Sequence, residues 1–556
     1  MKIFNKIFIF SLAAVVCSAC LGDLNTKPLN KTDFTSENAY ENPSSYLNAL
    51  AYINGYYMLV GQDDPGSNDL GFSDSGQSEF LRQWFNLNEM TCDALKCVWG
   101  DSYLTDLQHD SWGAGTNDAM VAVYTRAVKA IALVNEYLLQ TEESKLDARG
   151  QSDLKPTIAG YRAEARFHRA MFFYVLMDEF GNPPFPMPEN IGGENPRRIE
   201  RAELFQWLED ELLDLASDGS AMPAKGAVPY PRPTKGSVWA LLSRMYLNAE
   251  VYTGTARWED AKKASKKVID MGYSIHTPYS DLFRQDNTET GAAAEEFIFA
   301  VAYDRVSCQS WGGTTTFTSA SLNEDANQAL GAAFGLAKIN GENWAGYHVP
   351  NDYVARFELQ GVEWGNEKNP FGYNRETSDK RAFFSNFKNK ETFDPSAMAT
   401  GWFCWKFNGM NSDNTLAQYD GTAGQWKLSS TDMPIFRLAE MYLNYAEADA
   451  RLNGGEVVDA DAKAYVKKLR DRAGVATPSD ITLDWLLDER AREFMWEGHR
   501  RVDLIRYGYF TDMNYPWTLK GGILSGKVAI PSHMTIFPII QSDLSANSNL
   551  KQNPGY

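Results

Sequence analysis

Glu489, Glu493 and Glu497 recur every four residues. Paired carboxylates are the groups that hydrolyse glycosidic bonds. That chemistry needs two acids facing each other across a substrate, whereas carboxylates one helical turn apart point the same way. Arg490 and Arg500 sit among them at three- and four-residue spacings. The row therefore reads as charge pairing along one helix face. His168 and His499 lie inside helical stretches, where a satisfied polar contact is the plainer role. No HExxH, GxSxG, Walker loop or dinucleotide fingerprint occurs. The chain reads as a non-enzyme, and no cofactor is implied.

A different chemistry is written at Cys20. Residues 1–19 carry Lys2 and Lys6, an apolar run from Ile7 to Val16, then Ser18 and Ala19. That order is an export signal, and its apolar run is too short for a permanent membrane helix. A cysteine directly after the cut would take a thioether-linked lipid, and the pattern resembles a bacterial lipobox. Cys17 departs from it, standing where Leu or Val is usual. Ordinary secretion after Ala19 is the alternative. Residues 21–42 are polar and suit a tether.

With 556 residues the chain can bury a large core in one helical unit or in two or three domains. No later apolar run reaches membrane-spanning length. The formal charge of −19 becomes −21 once Lys2 and Lys6 leave with the signal. Such acidity excludes a nucleic-acid footprint and disfavours polyanionic ligands, so a neutral ligand fits better. After Cys20 only Cys92, Cys97, Cys308 and Cys404 remain. Cys92 and Cys97 could pair locally, but the four lack a CxxC, give no zinc signature and read as buried apolar fillers.

Fifteen Trp and 27 Tyr exceed what a helical core requires. Trp84, Trp99, Trp112, Trp311, Trp344, Trp364, Trp402, Trp405 and Trp426 fall in stretches without helical period. A tryptophan there is either a plug over the core or an exposed stacking surface. The plug is the default for each, because a large ring is usually mostly buried.

The elements that must position these rings are helical. Residues 160–180 form one amphipathic helix, stopped by Asn182-Pro183-Pro184. Residues 234–250 and 257–271 make a helix pair turning at Gly254, and 434–452 with 461–473 repeat the arrangement. Residues 483–507 add another long helix. Diverged helix–turn–helix pairs of this size look like tetratricopeptide-type units interrupted by inserts. The region 294–430 lacks that period and is rich in Gly, Asn, Trp and Thr. The fold class is thus mainly α, a tetratricopeptide-like scaffold with an irregular, loop-rich half.

Several segments in order resemble the SusD/RagB family of glycan-binding outer-membrane lipoproteins. They are Asn38-Ala39-Tyr40 with Pro43, the run Glu164 to Ala170 leading to Asp178-Glu179-Phe180-Gly181, and Thr234-Lys235-Gly236. Phe436 to Glu440 with Ala446-Glu447-Ala448, Glu489 to Phe494 with Glu497 to Arg500, Asp503 to Gly508, and Gln552 to Tyr556 follow. The resemblance implies a signal peptide over 1–19 and a lipidated tether over 20–45. Helical residues 46–293 would then pack with 294–556 as one globular unit.

Within the family the chain is similar to the starch-binding SusD branch. The likeness rests on residues 69–112, including Gly76 to Phe80, Arg82 and Trp99, and on Ser310 to Thr315. Carried over by position, Trp99 and Trp311 would be stacking platforms. Arg82 and Asp74 would bond sugar hydroxyls. Two departures alter the arc: Cys97 stands where a second platform tryptophan is expected, and Ser102 aligns with a polar Asn. The resemblance implies a surface-exposed lipoprotein, held to the outer membrane through Cys20. It would capture a neutral oligosaccharide, an α-glucan such as starch or dextran being the first expectation, and deliver it to a SusC-like TonB-dependent transporter. A surface glycoside hydrolase and a RagB-like peptide-binding module are the rival readings.

Overall fold

Residues 155–180 contain a single glycine and a proline only at the second position, so the backbone bonds of a long helix can form without interruption. Leu, Met and Phe along this run are buried, and Gly181, at φ 70°, ends it in a conformation open to glycine. The computed structural model describes residues 38–61, 68–288, 291–390, 393–417 and 427–556. Cys20, the signal, the tether up to residue 37, and Trp426 lie outside them.

Around that helix the main elements follow in order. The N-terminal half contains α1 (Ser44–Gly55), α2 (Phe80–Glu89), β1 (Lys96–Cys97), α3 (Ser102–Gln108), α4 (Asp118–Gln140) and α5 (Lys155–Phe180). It continues through α6 (Arg201–Ala216), α7 (Lys235–Leu247) and α8 (Trp258–Ile269). The loop-rich half holds β2 (Phe297–Val301), α9 (Gly313–Ser319), α10 (Glu324–Ala333), β3 (Tyr347–His348), β4 (Phe384–Ser385) and β5 (Phe403–Cys404). Then come β6 (Met433–Arg437), α11 (Leu438–Leu452), α12 (Ala460–Ala473), α13 (Leu483–Glu493) and α14 (Arg500–Arg506).

The helix pairs form as their sequences predict. A capping box between Thr234 and Ser237 starts α7, Gly254 takes the left-handed conformation, and α8 returns with Ala261, Ala264 and Ser265 buried. These small residues let the helices approach closely enough for the Ser243 and Ser265 hydroxyls to bond at 2.8 Å. Asp459 caps α12 by accepting from the amides of Asp461 and Ala462, and Gly474 ends it.

Four expectations are corrected. Residues 433–437 are a strand, paired antiparallel with β2 (Phe297 opposite Arg437, Val301 opposite Met433), so the helix begins only at Leu438. The expected helix 483–507 breaks, because Trp496 and Gly498 both have positive φ. The Glu89 carboxylate holds the break by accepting from the amides of Gly498 (2.6 Å) and His499 (3.3 Å). Trp84 lies within α2, a helix buried on every side whose polar residues hide its period. Cys308 is exposed, whereas Cys92, Cys97 and Cys404 are buried; all four are free thiols.

Three two-stranded ribbons accompany the helices in the described residues. One of them pairs Lys96 with His348 and Cys97 with Tyr347, bringing the N-terminal helices against the loop-rich half. The dominant hydrophobic core runs from Tyr56 to Leu550 and draws on both halves. Trp405 is fully buried within it, its indole N–H donating to the Phe384 carbonyl at 3.1 Å, as a plug should. Tyr556 also tucks inward, donating to the Ile536 carbonyl (2.7 Å) and accepting from Trp112 (2.8 Å). No helix among the described residues is long and apolar enough to cross a membrane.

Candidate functional site

The carboxylate row does not line a cleft. Glu489, Glu493 and Glu497 are buried, and their partners come chiefly from other elements. Glu489 meets Arg381 (2.8 Å), Arg470 (3.1 Å) and, from its own helix, Arg492 (2.8 Å). Glu493 meets Arg437 (2.6 Å), Arg381 (3.1 Å) and Arg472. Glu497, past the helix break, meets Lys406 and Arg437, both at 2.7 Å. The expected pairing along one helix face thus survives only in the Glu489–Arg492 contact. Burial by itself would raise the Glu493 pKa, but Arg472, Arg437 and Arg381 outweigh it and hold the carboxyl well below its ordinary range. A fixed anion of this sort cannot donate the proton that a glycosidic oxygen requires. His168 is buried and accepts or shares a proton with the Tyr57 hydroxyl at 3.1 Å; burial pushes its pKa down to about 3.

A surface arc forms instead where the ribbon β1–β3 meets α2 and α9. Its base is the α2 N-terminus. Glu79 caps this helix by accepting from the Arg82 amide at 3.2 Å. Its other oxygen accepts from the hydroxyls of Tyr303 and Ser310, both at 2.9 Å. Burial pushes the Glu79 pKa up to about 7, against the lowering pull of these bonds. The Ser310 hydroxyl in turn accepts from the Gly312 amide at 3.0 Å. Trp311 lies between those two residues, so Glu79 fixes its loop. Gly76, at φ 82°, lets the α2 approach run so close that any Cβ would strike the Trp311 carbonyl carbon and the Gly312 amide.

Helix α9 then carries the remaining rings. The Thr316 hydroxyl donates to the Trp311 carbonyl at 3.0 Å. At the other end of α9 the amide of Trp344 donates to the Ser319 carbonyl (2.7 Å), and those of Gly346 and Tyr347 donate to Ala320 (2.9 and 2.8 Å). Trp344 and Trp311 are thereby held with ring centroids 6.3 Å apart, tilted by 33°. Trp99 follows β1, and its indole N–H donates to the Trp344 carbonyl at 3.2 Å. The same indole lies against Gly346, where a Cβ would overlap it, and packs on Tyr347 at 5.4 Å. All three tryptophans are partly exposed.

Arg82, on α2, reaches toward this arc. Its guanidinium is buried and meets the half-exposed Asp74 carboxylate at 2.6 Å, while Nε finds no hydrogen-bond acceptor among the described residues. Tyr103 and Tyr347 adjoin the same guanidinium. Ser102 is the exposed first residue of α3, three positions past Trp99. Cys97 is fully buried beside Tyr347, and burial pushes its thiol up to about 12, so nothing at this position faces outward. The structure therefore brings Asp74, Trp99 and Trp311 to one surface, whereas Arg82, expected to bond sugar hydroxyls, is buried beneath it and holds Asp74. Trp344, read by default as a plug, packs against the core and stands beside them partly exposed. The available signal was its place in the Asn343-Trp344-Ala345-Gly346 turn, a setting as polar and glycine-bearing as those of Trp99 and Trp311. Among the described residues no cluster of His, Cys, Asp and Glu could hold a metal ion.

Two family models match the chain: one described as the SusD family over residues 295–556, the other as starch-binding, associating with outer membrane, over residues 43–247. The chain is 30% identical over its whole length to the starch-binding protein SusD of Bacteroides thetaiotaomicron, covering 99% of that protein. The chain belongs to the SusD family. A SusD-like protein of Bacteroides ovatus is 24% identical over 78% of this chain and 76% of its own. Among solved structures, a SusD superfamily protein from Parabacteroides distasonis covers 94% of the chain with a TM-score of 0.66 at 21% identity, spanning all of that protein. Surface glycan-binding protein A from Bacteroides thetaiotaomicron, solved in complex with laminarihexaose, covers 92% with the same score at 18% identity, spanning 99% of that protein. These neighbours share the helical SusD fold described above.

Proposed function

We propose that this SusD-family chain is a non-catalytic cell-surface glycan-binding protein, with the Trp99–Trp344–Trp311 arc as its binding platform. One observation carries the reading: three partly exposed indoles are pinned by backbone bonds near the half-exposed Asp74 carboxylate. Indole faces stack on the apolar faces of sugar rings, and Asp74, held by the buried Arg82 at 2.6 Å, supplies an acceptor for hydroxyls between them. Ser102 borders the same surface and would offer a further hydroxyl. The acidic composition favours a neutral glycan.

An α-glucan is the first candidate ligand, supported by the full-length similarity to a starch-binding protein. Lipidation at Cys20 would hold the protein on the outer membrane. From there it would pass oligosaccharide to a SusC-like TonB-dependent transporter, both roles following from family membership. Affinity electrophoresis of the mature protein in gels containing starch, dextran, laminarin or levan tests the proposal. Retardation by starch or dextran, lost in Trp99→Ala, is expected. Retardation by none of the four would overturn the glycan reading, and retardation by laminarin or levan alone would replace the α-glucan.

A further inference from the structure

Trp364 is the only described tryptophan that stands exposed, at 45% of its surface, and Val362 beside it is 59% exposed. They form the rim of a cavity of about 540 Å³, within the roughly 300–1,000 Å³ typical of small-ligand sites. Phe357 and the buried Trp402 contribute apolar wall, and Asn351, Asn386 and Glu363 contribute polar groups. No lysine or arginine lines it, and Glu363 is its one carboxylate, so nothing there would attract an anion.

The loop that carries the exposed ring is held firmly. Asn386 accepts from the Gly365 amide (2.8 Å) and donates to the Glu363 carbonyl (3.0 Å), bracketing Trp364 on both sides. The Glu363 amide donates to Gly372 (2.9 Å), and Asn366 and Asn369 bond each other twice at 3.0 Å. A large apolar ring presented to water from a fixed loop gains further burial when a ligand covers it, and the ordered backbone lowers the entropy that binding must spend. The opposite wall is equally fixed, since Trp402 exchanges two backbone bonds with Val349 (2.8 and 3.0 Å). Asn351 follows Tyr347, the ring under Trp99, by four residues, so the chain separates them by at most about 14 Å.

We infer that this cavity is a second, independent glycan site taking one or two uncharged pyranose rings, with Trp364 as its stacking platform. The inference rests on the glycan-binding reading for its ligand class. An exposed indole over an uncharged, amide-bearing cavity matches a sugar, whose ring carries an apolar face and a belt of hydroxyls. Two separate stations would let one long polysaccharide be held bivalently, raising retention of polymer above that of short oligosaccharides.

The test uses the mature chain labelled with 5-fluorotryptophan, the Trp364 ¹⁹F signal being assigned with Trp364→Phe. Maltoheptaose, isomaltohexaose and laminarihexaose are titrated into wild type and into the Trp99→Ala/Trp311→Ala double variant. A saturable shift of the Trp364 signal in both proteins is expected. Trp364→Ala should weaken polymer retention in affinity gels at least threefold, and should abolish what remains in the double variant. A Trp364 signal that stays still while the arc signals move would remove the second site and leave the arc intact. Retention lost in Trp364→Ala but unchanged in the double variant would keep this site and refute the arc. No response to any of the three sugars would end both. A Trp364→Ala protein that binds glycans normally yet no longer co-purifies with a transporter would reassign the cavity to a protein contact and overturn the inference.

Discussion

Trp99 gives its indole N–H to the backbone carbonyl of Trp344, across 245 positions of sequence, and so one ring of the proposed platform is oriented by the residue that carries the next. The rings are thus a coupled set, and disturbing one position should be felt at its neighbour.

Trp99→Ala, Trp311→Ala and Trp344→Ala should each weaken glycan binding at least tenfold, since truncating a central aromatic typically costs about 2 kcal/mol or more. Their thermal midpoints should stay close to wild type, because each ring is only partly buried. Trp405→Ala should behave in the opposite way, losing about 3–5 kcal/mol of stability while binding as before. Isothermal titration alongside calorimetric melting separates the two patterns, and normal affinity in all three arc variants would dismiss the platform.

Gly346→Ala places a methyl group where the Trp99 indole now lies. The ring must tilt away, and affinity should fall severalfold although no glycan-contacting side chain has been removed. The check is a binding titration paired with near-UV circular dichroism. Unchanged affinity and an unchanged tryptophan spectrum would mean that Trp99 does not depend on this contact.

Glu493→Gln should cost stability, not activity. Removing one partner of a buried ion pair typically costs about 3–5 kcal/mol, and here Arg381, Arg437 and Arg472 would all lose a counter-charge. A urea melt measures the loss. Release of reducing sugar from starch or dextran is expected from neither protein. Turnover by the wild type that vanishes in the variant would restore a hydrolase.

Glu89 makes stability depend on pH in a definite direction. Burial pushes its pKa up to about 8, above its unfolded value, against the pull of the Gly498 and His499 amides and of Lys406. The folded state therefore keeps this proton where the unfolded chain has already lost it. Its contribution is complete below about pH 4 and declines by about 1.4 kcal/mol per pH unit until about pH 8. Buried Asp93 and Glu447, both held near 2 as their arginines outweigh burial, act in the other window and lose their contribution as pH falls below about 4. Melting temperature should accordingly drop between pH 5 and 8, and Glu89→Gln should flatten that drop. An identical pH profile in the variant would show that the carboxyl is not the source.

Cys20→Ala should abolish lipidation and release the protein from outer membranes. Membrane fractionation with intact-mass analysis reads both effects, and a variant retaining the acyl mass would contradict the lipoprotein assignment.

Much of the scaffold was legible in advance because it obeys local rules. The α7–α8 and α11–α12 pairs announce themselves by small residues, caps and Gly254 or Gly474 at their ends. What escaped depends on distant partners. Helix α2 carries Arg82, Gln83, Asn86, Asn88 and Glu89 into the interior, so polarity conceals it, and only tertiary hydrogen bonds make it viable. The break at Trp496–Gly498 is fixed by Glu89, some 400 residues earlier, which no periodicity reports. At the arc, Trp99, Trp311, Arg82 and Asp74 were identifiable only through family likeness. The approach of Trp344 to Trp311 joins segments that no local pattern relates.

The junction between the two halves also sets a timetable. Asp93 finds Arg500 only 407 positions later, and Ala94 accepts from the Trp496 indole across 402. At a synthesis rate of about 5–20 residues per second, the N-terminal helices wait roughly 20–80 s for those partners to emerge. Arg356, which also meets Asp93 at 2.9 Å, emerges earlier, but the full set of contacts that joins the halves is complete only after Arg500. If the proposed export signal acts, a chain threaded across a membrane before folding would gain from such a delay, because the contacts that would jam its passage are among the last to be made.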